Sequence, residues 1–242
     1  MYTINNKQLT FLDARFYQTQ DGNYVPSVTH ILDCYPKGAA YFNWLKENGK
    51  DADEIRDEAG RRGSVVHKLT EMYDAGEEVN LVNQYGSIDY KINEWAMFER
   101  YVEFRKRFSF TTDCIELNII SKELGYAGTL DRVITIDGKK ILLDIKTSNA
   151  IYPSYWLQLA AYRSLLLNSL GQQVDSVAIL WLNAKTRTEG KKGDIQGIGW
   201  QLITKEDSSK DLELFNATHQ LWIAENGTSK PKQLTYQITH KL

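Results

Sequence analysis

Two periodicities divide the chain near residue 110. Before that point most apolar positions recur at helical spacing, and after it they alternate or run together as they do in strands. Residues 9–25 are the early exception: Leu9, Phe11, Phe16 and Tyr17 around an Asp21-Gly22-Asn23 turn predict a hairpin. Pro26 then opens the helical region. Ser27 or Thr29 can cap a short helix running through Leu32, which Pro36-Lys37-Gly38 ends, and Tyr41, Phe42, Trp44 and Leu45 mark a second over 39–48. Longer helices are predicted over 52–75 and 88–109, separated by a polar loop containing Gly76 and Gly86. Beyond residue 110, strands are predicted over 113–124, 129–136 and 140–147, followed by a helix over 153–169 with Leu157, Ala160, Ala161, Leu165 and Leu167. Val177-Ala-Ile-Leu-Trp-Leu182 is apolar throughout, as a strand buried on both faces is. A basic loop over 184–196, a strand over 198–203 and a helix over 205–225 capped by Thr204 complete the order, and a polar tail follows Gly227. The expected fold class is α/β, a mixed sheet flanked by helices with a helical amino-terminal half. One domain is expected over 1–242, with a mainly helical part over 1–110, a catalytic core over 111–225 and a tail over 226–242.

A composition of 42% hydrophobic and 25% charged residues is that of an ordinary soluble globular chain. No apolar run approaches the roughly 18 residues of a membrane span, and the amino terminus lacks the charged-then-apolar order of a signal peptide. Cys34 and Cys114, far apart in sequence, suggest reduced thiols and a cytoplasmic protein, and two cysteines cannot supply a four-cysteine iron–sulfur cluster. A net charge of −2 gives no global basic signature. Locally, Arg56, Arg61 and Arg62 precede one helix segment, and Lys185, Arg187, Lys191 and Lys192 stud the later loop. The plain reading of both groups is solvated surface, preferred unless the strand carboxylates Asp131 and Asp144 give them phosphates to hold.

The chemistry concentrates in Leu130-Asp-Arg-Val-Ile-Thr-Ile-Asp-Gly-Lys-Lys-Ile-Leu-Leu-Asp-Ile-Lys-Thr147. Asp137-Gly138 between β-branched runs predicts a two-residue type I′ hairpin turn. With that loop Ile136 faces Lys139, and stepping outward brings Asp131 opposite Asp144. Lys146, two residues on, shares their face. Facing carboxylates on antiparallel neighbours lie roughly 5 Å apart at Cβ and repel, which a fold tolerates beside a divalent cation. A lone Asp-x-Lys is common by chance, and Asp144 could simply pair with Lys146 or Arg132. The apolar neighbours Leu142, Leu143 and Ile145 weigh against that reading, because an unpaired charge in such a strand is expensive.

Phosphodiester cleavage needs a hydroxide, a cation against the non-bridging oxygens and help for the leaving oxyanion. Mg²⁺ takes hard oxygen ligands and needs only one or two protein carboxylates. Asp131, Asp144 and the Ile145 carbonyl suit that role, with Lys146 as a fixed cation. On the helix over 52–75, Gly63, His67 and Glu71 share a face, and His67 could be a further ligand. Gln158 and Tyr162, also four apart, could hydrogen-bond a phosphate or a metal-bound water.

Taken in order, five segments carry a resemblance: Pro26-Ser-Val-Thr-His-Ile-Leu32, Gly63-Ser-Val-Val-His67, Gly125-Tyr-Ala-Gly-Thr-Leu-Asp131, Leu142-Leu-Asp-Ile-Lys-Thr-Ser148 and Gln158-Leu-Ala-Ala-Tyr162. Together they resemble the PD-(D/E)XK nuclease superfamily, and within it the RecB-like exonuclease branch of phage and prophage exonucleases and the mitochondrial genome maintenance exonuclease. The resemblance implies a restriction-endonuclease-like core, dependence on Mg²⁺ or Mn²⁺ and DNA hydrolysis. It implies Asp131, Asp144 and His67 as metal ligands, Lys146 as the catalytic lysine and Gln158 and Tyr162 as the trailing helix motif. It also implies DNA as partner, a role in phage-type recombination, repair or processing, and a single-strand annealing or other recombination protein alongside. The chain carries no Walker A loop. The competing readings are a catalytically silent nucleic-acid-binding relative and a hydrolase of small phosphoesters.

Overall fold

The computed structural model describes residues 8–11, 14–183 and 199–227. The early hairpin forms as expected, with β1 (Gln8–Phe11), β2 (Ala14–Gln18) and β3 (Tyr24–Pro26) pairing antiparallel in that order. Ser27 caps α1 (Val28–Ile31), its side chain accepting the His30 N–H. Two helices follow as the spacing predicts, α2 (Ala39–Asn48) and the long α3 (Ala52–Asp74).

The next helix, α4, runs only over Ile92–Arg107. The four residues before it, which the sequence spacing had made helical, are excluded by a local contest: Ile88 bridges Val82, and Glu94 folds back to accept the Lys91 N–H. Strands β4 (Thr111–Ser121), β5 (Tyr126–Ile136) and β6 (Lys139–Lys146) form a continuous meander. Ser121 pairs with Tyr126, so β4 ends and β5 begins earlier than the apolar pattern implies. Asp137 and Gly138 have φ of 49° and 76°, both positive as a type I′ turn requires. The register is the expected one, with Ile136 opposite Lys139 and Arg132 opposite Leu143.

Helix α5 (Pro153–Leu170) crosses over to β7 (Ser176–Trp181), which pairs parallel with β6. Then come β8 (Gln201–Lys205), antiparallel to β7, and α6 (Ser209–Asn226). Thr204 does not cap that last helix. It pairs with Ala178 inside the sheet, and the helix begins after Ser208. The basic loop and the tail beyond Gly227 lie outside the described residues.

The result is a mixed five-stranded sheet, order β4-β5-β6-β7-β8, between two helical layers, the restriction-endonuclease-like arrangement expected. On one face Leu117, Leu130, Leu142, Val177 and Ile179 pack against Ile31, Leu157, Leu165, Phe215 and Trp222. On the other, Ile134, Leu143, Ile145, Ala178 and Leu180 meet Val66 of α3 and Met97, Tyr101 and Phe104 of α4. Strand β7 is buried on both faces, which is why its sequence is apolar throughout. Among the described residues no helix is long and apolar enough to cross a membrane.

Gly128 on β5 is where the sheet meets α5 most closely. A Cβ there would lie 2.3 Å from the Tyr162 ring. Gly128→Ala is therefore expected to destabilise the protein by about 1–3 kcal/mol through overpacking. Denaturant unfolding checks this, and an unchanged midpoint would mean that Tyr162 can move aside without loss.

Candidate active site

Alternation along β6 sends Leu143 and Ile145 to the α3/α4 layer and Leu142 to the α5 layer. Asp144 and Lys146 therefore share the α5 side, and their Oδ2 and Nζ atoms are 2.6 Å apart. Strand β5 does not alternate cleanly. Leu130 and Val133 both belong to the α5-side core, so the pattern slips once between them, at Asp131 and Arg132. Across from Asp131 on β4 the same slip appears: Leu117 pairs with Leu130 and Ile115 with Arg132, but the intervening Glu116 makes no ladder pair and has φ of 47°. A glutamate at positive φ is uncommon, and here it turns the side chain toward Asp131.

His67 of α3 closes the group. Its Nε2 donates to the Ile145 carbonyl at 3.0 Å, and its Nδ1 stands 3.5 Å from Asp131 Oδ1 and 3.7 Å from Glu116 Oε1. Asp131 Oδ2 accepts the Ile145 N–H at 2.7 Å, which fixes the carboxylate between strands. Burial would depress the imidazole, but Asp131 and Glu116 outweigh it and lift its pKa to about 9. Burial pushes the Asp144 carboxyl up, against the pull of Lys146, and Asp131 adds to the rise. Burial opposes the charge on Lys146, yet Asp144 and Asp131 hold its ammonium above the usual lysine range.

Lys146 is held from three sides. Besides Asp144, Gln158 Oε1 accepts from its Nζ at 3.1 Å, and Nζ stands 4.5 Å from the centroid of the Tyr155 ring. Gln158 Nε2 donates in turn to the Tyr162 hydroxyl at 3.0 Å, so the two trailing-helix residues act as one bracket behind the lysine. Gly63, one turn before His67, is where α3 passes Thr147: a Cβ there would lie 3.4 Å from the threonine hydroxyl.

Beneath the acids lies Arg132. It does not pair with Asp144, one of the partners the sequence allowed, because it points to the opposite face of the sheet. Its fully buried guanidinium binds Asp74 Oδ2 at 2.8 Å and its own neighbour's carbonyl, that of Asp131, at 2.7 Å, with Glu116 at 3.4 Å. Tyr101 and Arg105 complete the shell around Asp74.

The donor set suits a hard divalent cation. One ligand atom each from His67, Glu116 and Asp131 lies within 4.8 Å of the others. Asp144 is 2% exposed, and Lys146 Nζ stands 2.6 Å from its Oδ2. A buried carboxylate this close to two further acids suits a site that takes a cation, since one lysine and one histidine leave the group short of positive charge.

Several expected participants sit elsewhere. Glu71 forms an exposed ion pair with Lys68 at 3.0 Å. Arg61 is bound by Glu58 and by the buried Glu94. Arg62 has a buried Nε without a hydrogen-bond partner, and Arg56 pairs with Asp53. Lys185, Arg187, Lys191 and Lys192 lie outside the described residues. Conversely, Glu116 was missed by sequence reasoning. Its signal is a broken alternation, since Cys114, Leu117 and Ile119 all lie at the α5-side core.

No protein-family model matches the chain, and no curated protein does. Among solved structures it is similar to a candidate exonuclease from Eubacterium rectale, at 14% identity and a TM-score of 0.46 over 88% of this chain and 90% of that one. It is also similar to an alkaline exonuclease from Laribacter hongkongensis, at 11% identity and a TM-score of 0.41 over 82% of this chain and 86% of that one.

Removing Arg132 tests how the acids are supported. Arg132→Met would leave Asp74 buried without its main counter-charge, and a loss of about 3–5 kcal/mol is expected. Adding Asp74→Asn to that variant is expected to restore part of the loss. Equal unfolding midpoints for wild type and Arg132→Met would show that the buried pair contributes nothing. Arg61→Ala is expected to lower the melting temperature by unpairing buried Glu94, and an unchanged melting temperature would show that this pair contributes nothing.

Proposed function

We propose that this protein is a divalent-metal-dependent deoxyribonuclease, and that it works from DNA ends as an exonuclease. The observation that carries the reading is the meeting of Glu116, Asp131 and Asp144 on three adjacent strands, with His67 beside them and Lys146 bracketed by Gln158. Structural acids are not usually gathered this way, since each further carboxylate raises the cost of the others. The order of the motifs along the chain supports the exonuclease branch, Mg²⁺ or Mn²⁺ as the ion, and service in phage-type recombination, repair or processing beside an annealing or other recombination protein.

Asp131, Asp144, His67 and Glu116 would hold the cation, while the Ile145 carbonyl, expected from sequence as a further ligand, is engaged by His67 Nε2. Bound there, a divalent ion supplies a more acidic water and charge stabilisation on the attacked phosphate. Lys146 provides a cation whose position is set by Asp144, Gln158 and Tyr155, so it faces the reacting phosphate or the attacking water without reorganising. His67, rigidly bonded to the Ile145 carbonyl, keeps the end of β6 against α3. Burial of Asp131 and Asp144 limits bulk water around them, which strengthens every charge in the site. Attraction for DNA at a net charge of −2 must come from cations away from the acids. With Arg61 engaged by two glutamates, exposed Arg15, which lies against the Tyr17 hydroxyl, is one candidate, and the 185–192 loop is the other.

End-labelled linear, circular and single-stranded DNA, each with Mg²⁺, Mn²⁺ or EDTA, tests the proposal. Cleavage of linear DNA that requires the cation and spares circles is expected. Lys146→Ala and Glu116→Gln are each expected to reduce turnover at least about a hundredfold while leaving the melting temperature within a few degrees. DNA binding with no cleavage under any cation would favour a catalytically silent DNA-binding protein. Full activity of the Lys146 variant would remove the lysine from the mechanism.

A further inference from the structure

The segment between Lys146 and α5 carries an aromatic path that the proposed hydrolysis does not use. Lys146 Nζ lies over the Tyr155 ring, and Tyr152 meets Tyr155 edge to face with centroids 5.4 Å apart. Tyr155 is half-buried, whereas Tyr152 is 49% exposed. Other aromatics are as exposed, but this ring stands two contacts from the lysine.

Tyr152 is also held in place. Trp181 Nε1 donates to the Ser148 carbonyl at 2.7 Å, and Asn183 Nδ2 donates to Asn149 Oδ1 at 3.0 Å. The Tyr152 carbonyl accepts the Tyr155 N–H at 3.0 Å, and Pro153 restricts its backbone to the extended conformation observed, φ −98° and ψ 145°. A tyrosine on an anchored backbone, with its ring already against Tyr155, loses little conformational freedom on contact, which is what a stacking surface requires.

We propose that Tyr152 is a nucleobase-stacking site at the edge of the acid cluster, and that the DNA it takes presents an unpaired base there. This rests on the nuclease reading of the same site and adds the substrate class to it. The Tyr152 ring is about 10 Å or less from Lys146 Nζ, and a stacked strand advances about 3.4 Å per nucleotide, so the base concerned lies one to three steps from the scissile phosphate. A base inside a duplex has both faces covered by its neighbours. One in a single strand or a frayed end offers a face, and every base has one, so the site selects unpaired DNA without selecting sequence.

Binding in EDTA, where no cleavage occurs, tests this separately from catalysis. The probes are a short fluorescent single strand, the same strand carrying one abasic residue near its end, and a blunt duplex. Tyr152→Ala is expected to weaken single-strand binding about tenfold, with Tyr152→Trp near wild type and duplex binding changed little. The abasic strand, with the lesion placed in turn at each of the first positions, is expected to bind wild type more weakly at one of them and to cost the alanine variant nothing further there. Equal single-strand affinity for wild type and Tyr152→Ala would overturn the proposal. So would equal losses on single strand and duplex, or an abasic penalty that persists undiminished in the variant. If wild type binds as expected but cleaves no DNA with Mg²⁺ or Mn²⁺, the nuclease reading fails and the stacking site stands. If it cleaves while Tyr152→Ala binds like wild type, only the stacking site fails.

Discussion

Glu116, Asp131 and Asp144 bring three negative charges to neighbouring positions on three adjacent strands, two of them almost wholly out of water. Two unit charges about 4 Å apart repel by about 4 kcal/mol at the effective dielectric typical of a protein. Even one such pair would be a sizeable fraction of the stability of a domain this size. The surroundings answer from three directions. Lys146 approaches Asp144 from the end of its own strand, His67 reaches Asp131 and Glu116 from α3, and Arg132 lies beneath Asp131 and Glu116 with Asp74 behind it. These cations are not interchangeable. Lys146 and His67 face the open side, where a metal and a phosphate would come, while Arg132 is sealed in the α3/α4 layer.

The backbone makes its own contribution. If β4 and β5 alternated regularly, Glu116 and Asp131 would be an ordinary cross-strand pair, each pointing wherever the pleat sent it. Both strands instead change phase at that level, and Glu116 takes a positive φ to do so. Such a conformation costs on the order of 1–3 kcal/mol for a residue other than glycine, and it persists only when the neighbours determine it. Here the neighbours are ladder pairs on both sides, Leu117 with Leu130 and Ile115 with Arg132. Arg132, in step with Ile134, keeps to the far face, where it binds Asp74. The distortion therefore aims two acids above the cation that supports them.

This explains what was legible in the sequence and what was not. The hairpin through Asp137-Gly138 is local: two residues with positive φ fix the register, and the register places Asp131 beside Asp144 and Lys146. The helical bracket of Gln158 and Tyr162 was likewise readable from their spacing, though not that it would grip the lysine. Glu116 was hidden because its role depends on a break in alternation, and a broken pattern in one sequence looks the same as a weak one. Arg132 entered only as a possible partner of Asp144; alternation puts it on the face away from that acid, and its true partner, Asp74, lies far away in sequence on α3. Thr204 made a plausible helix cap because capping is judged over a few residues, whereas its pairing with Ala178 depends on a strand far away in sequence.

Lys146 shows how far this site depends on placement over composition. Burial alone would favour the neutral amine, and a neutral amine could not stabilise a developing charge. The two aspartates keep it protonated, and Gln158, itself bonded to Tyr162, holds the ammonium from a second side while it pairs with Asp144. Gly128 has no side chain, so the Tyr162 ring can lie against β5 and hold that bracket in place. An arginine at position 146 would keep the charge but not the geometry, because a planar fork with five donors cannot occupy a space shaped for a compact ammonium between a carboxylate, an amide and an aromatic face. The charge at this position is thus set by the acids, but its location is set by a glycine on the neighbouring strand and two residues one turn apart on a helix.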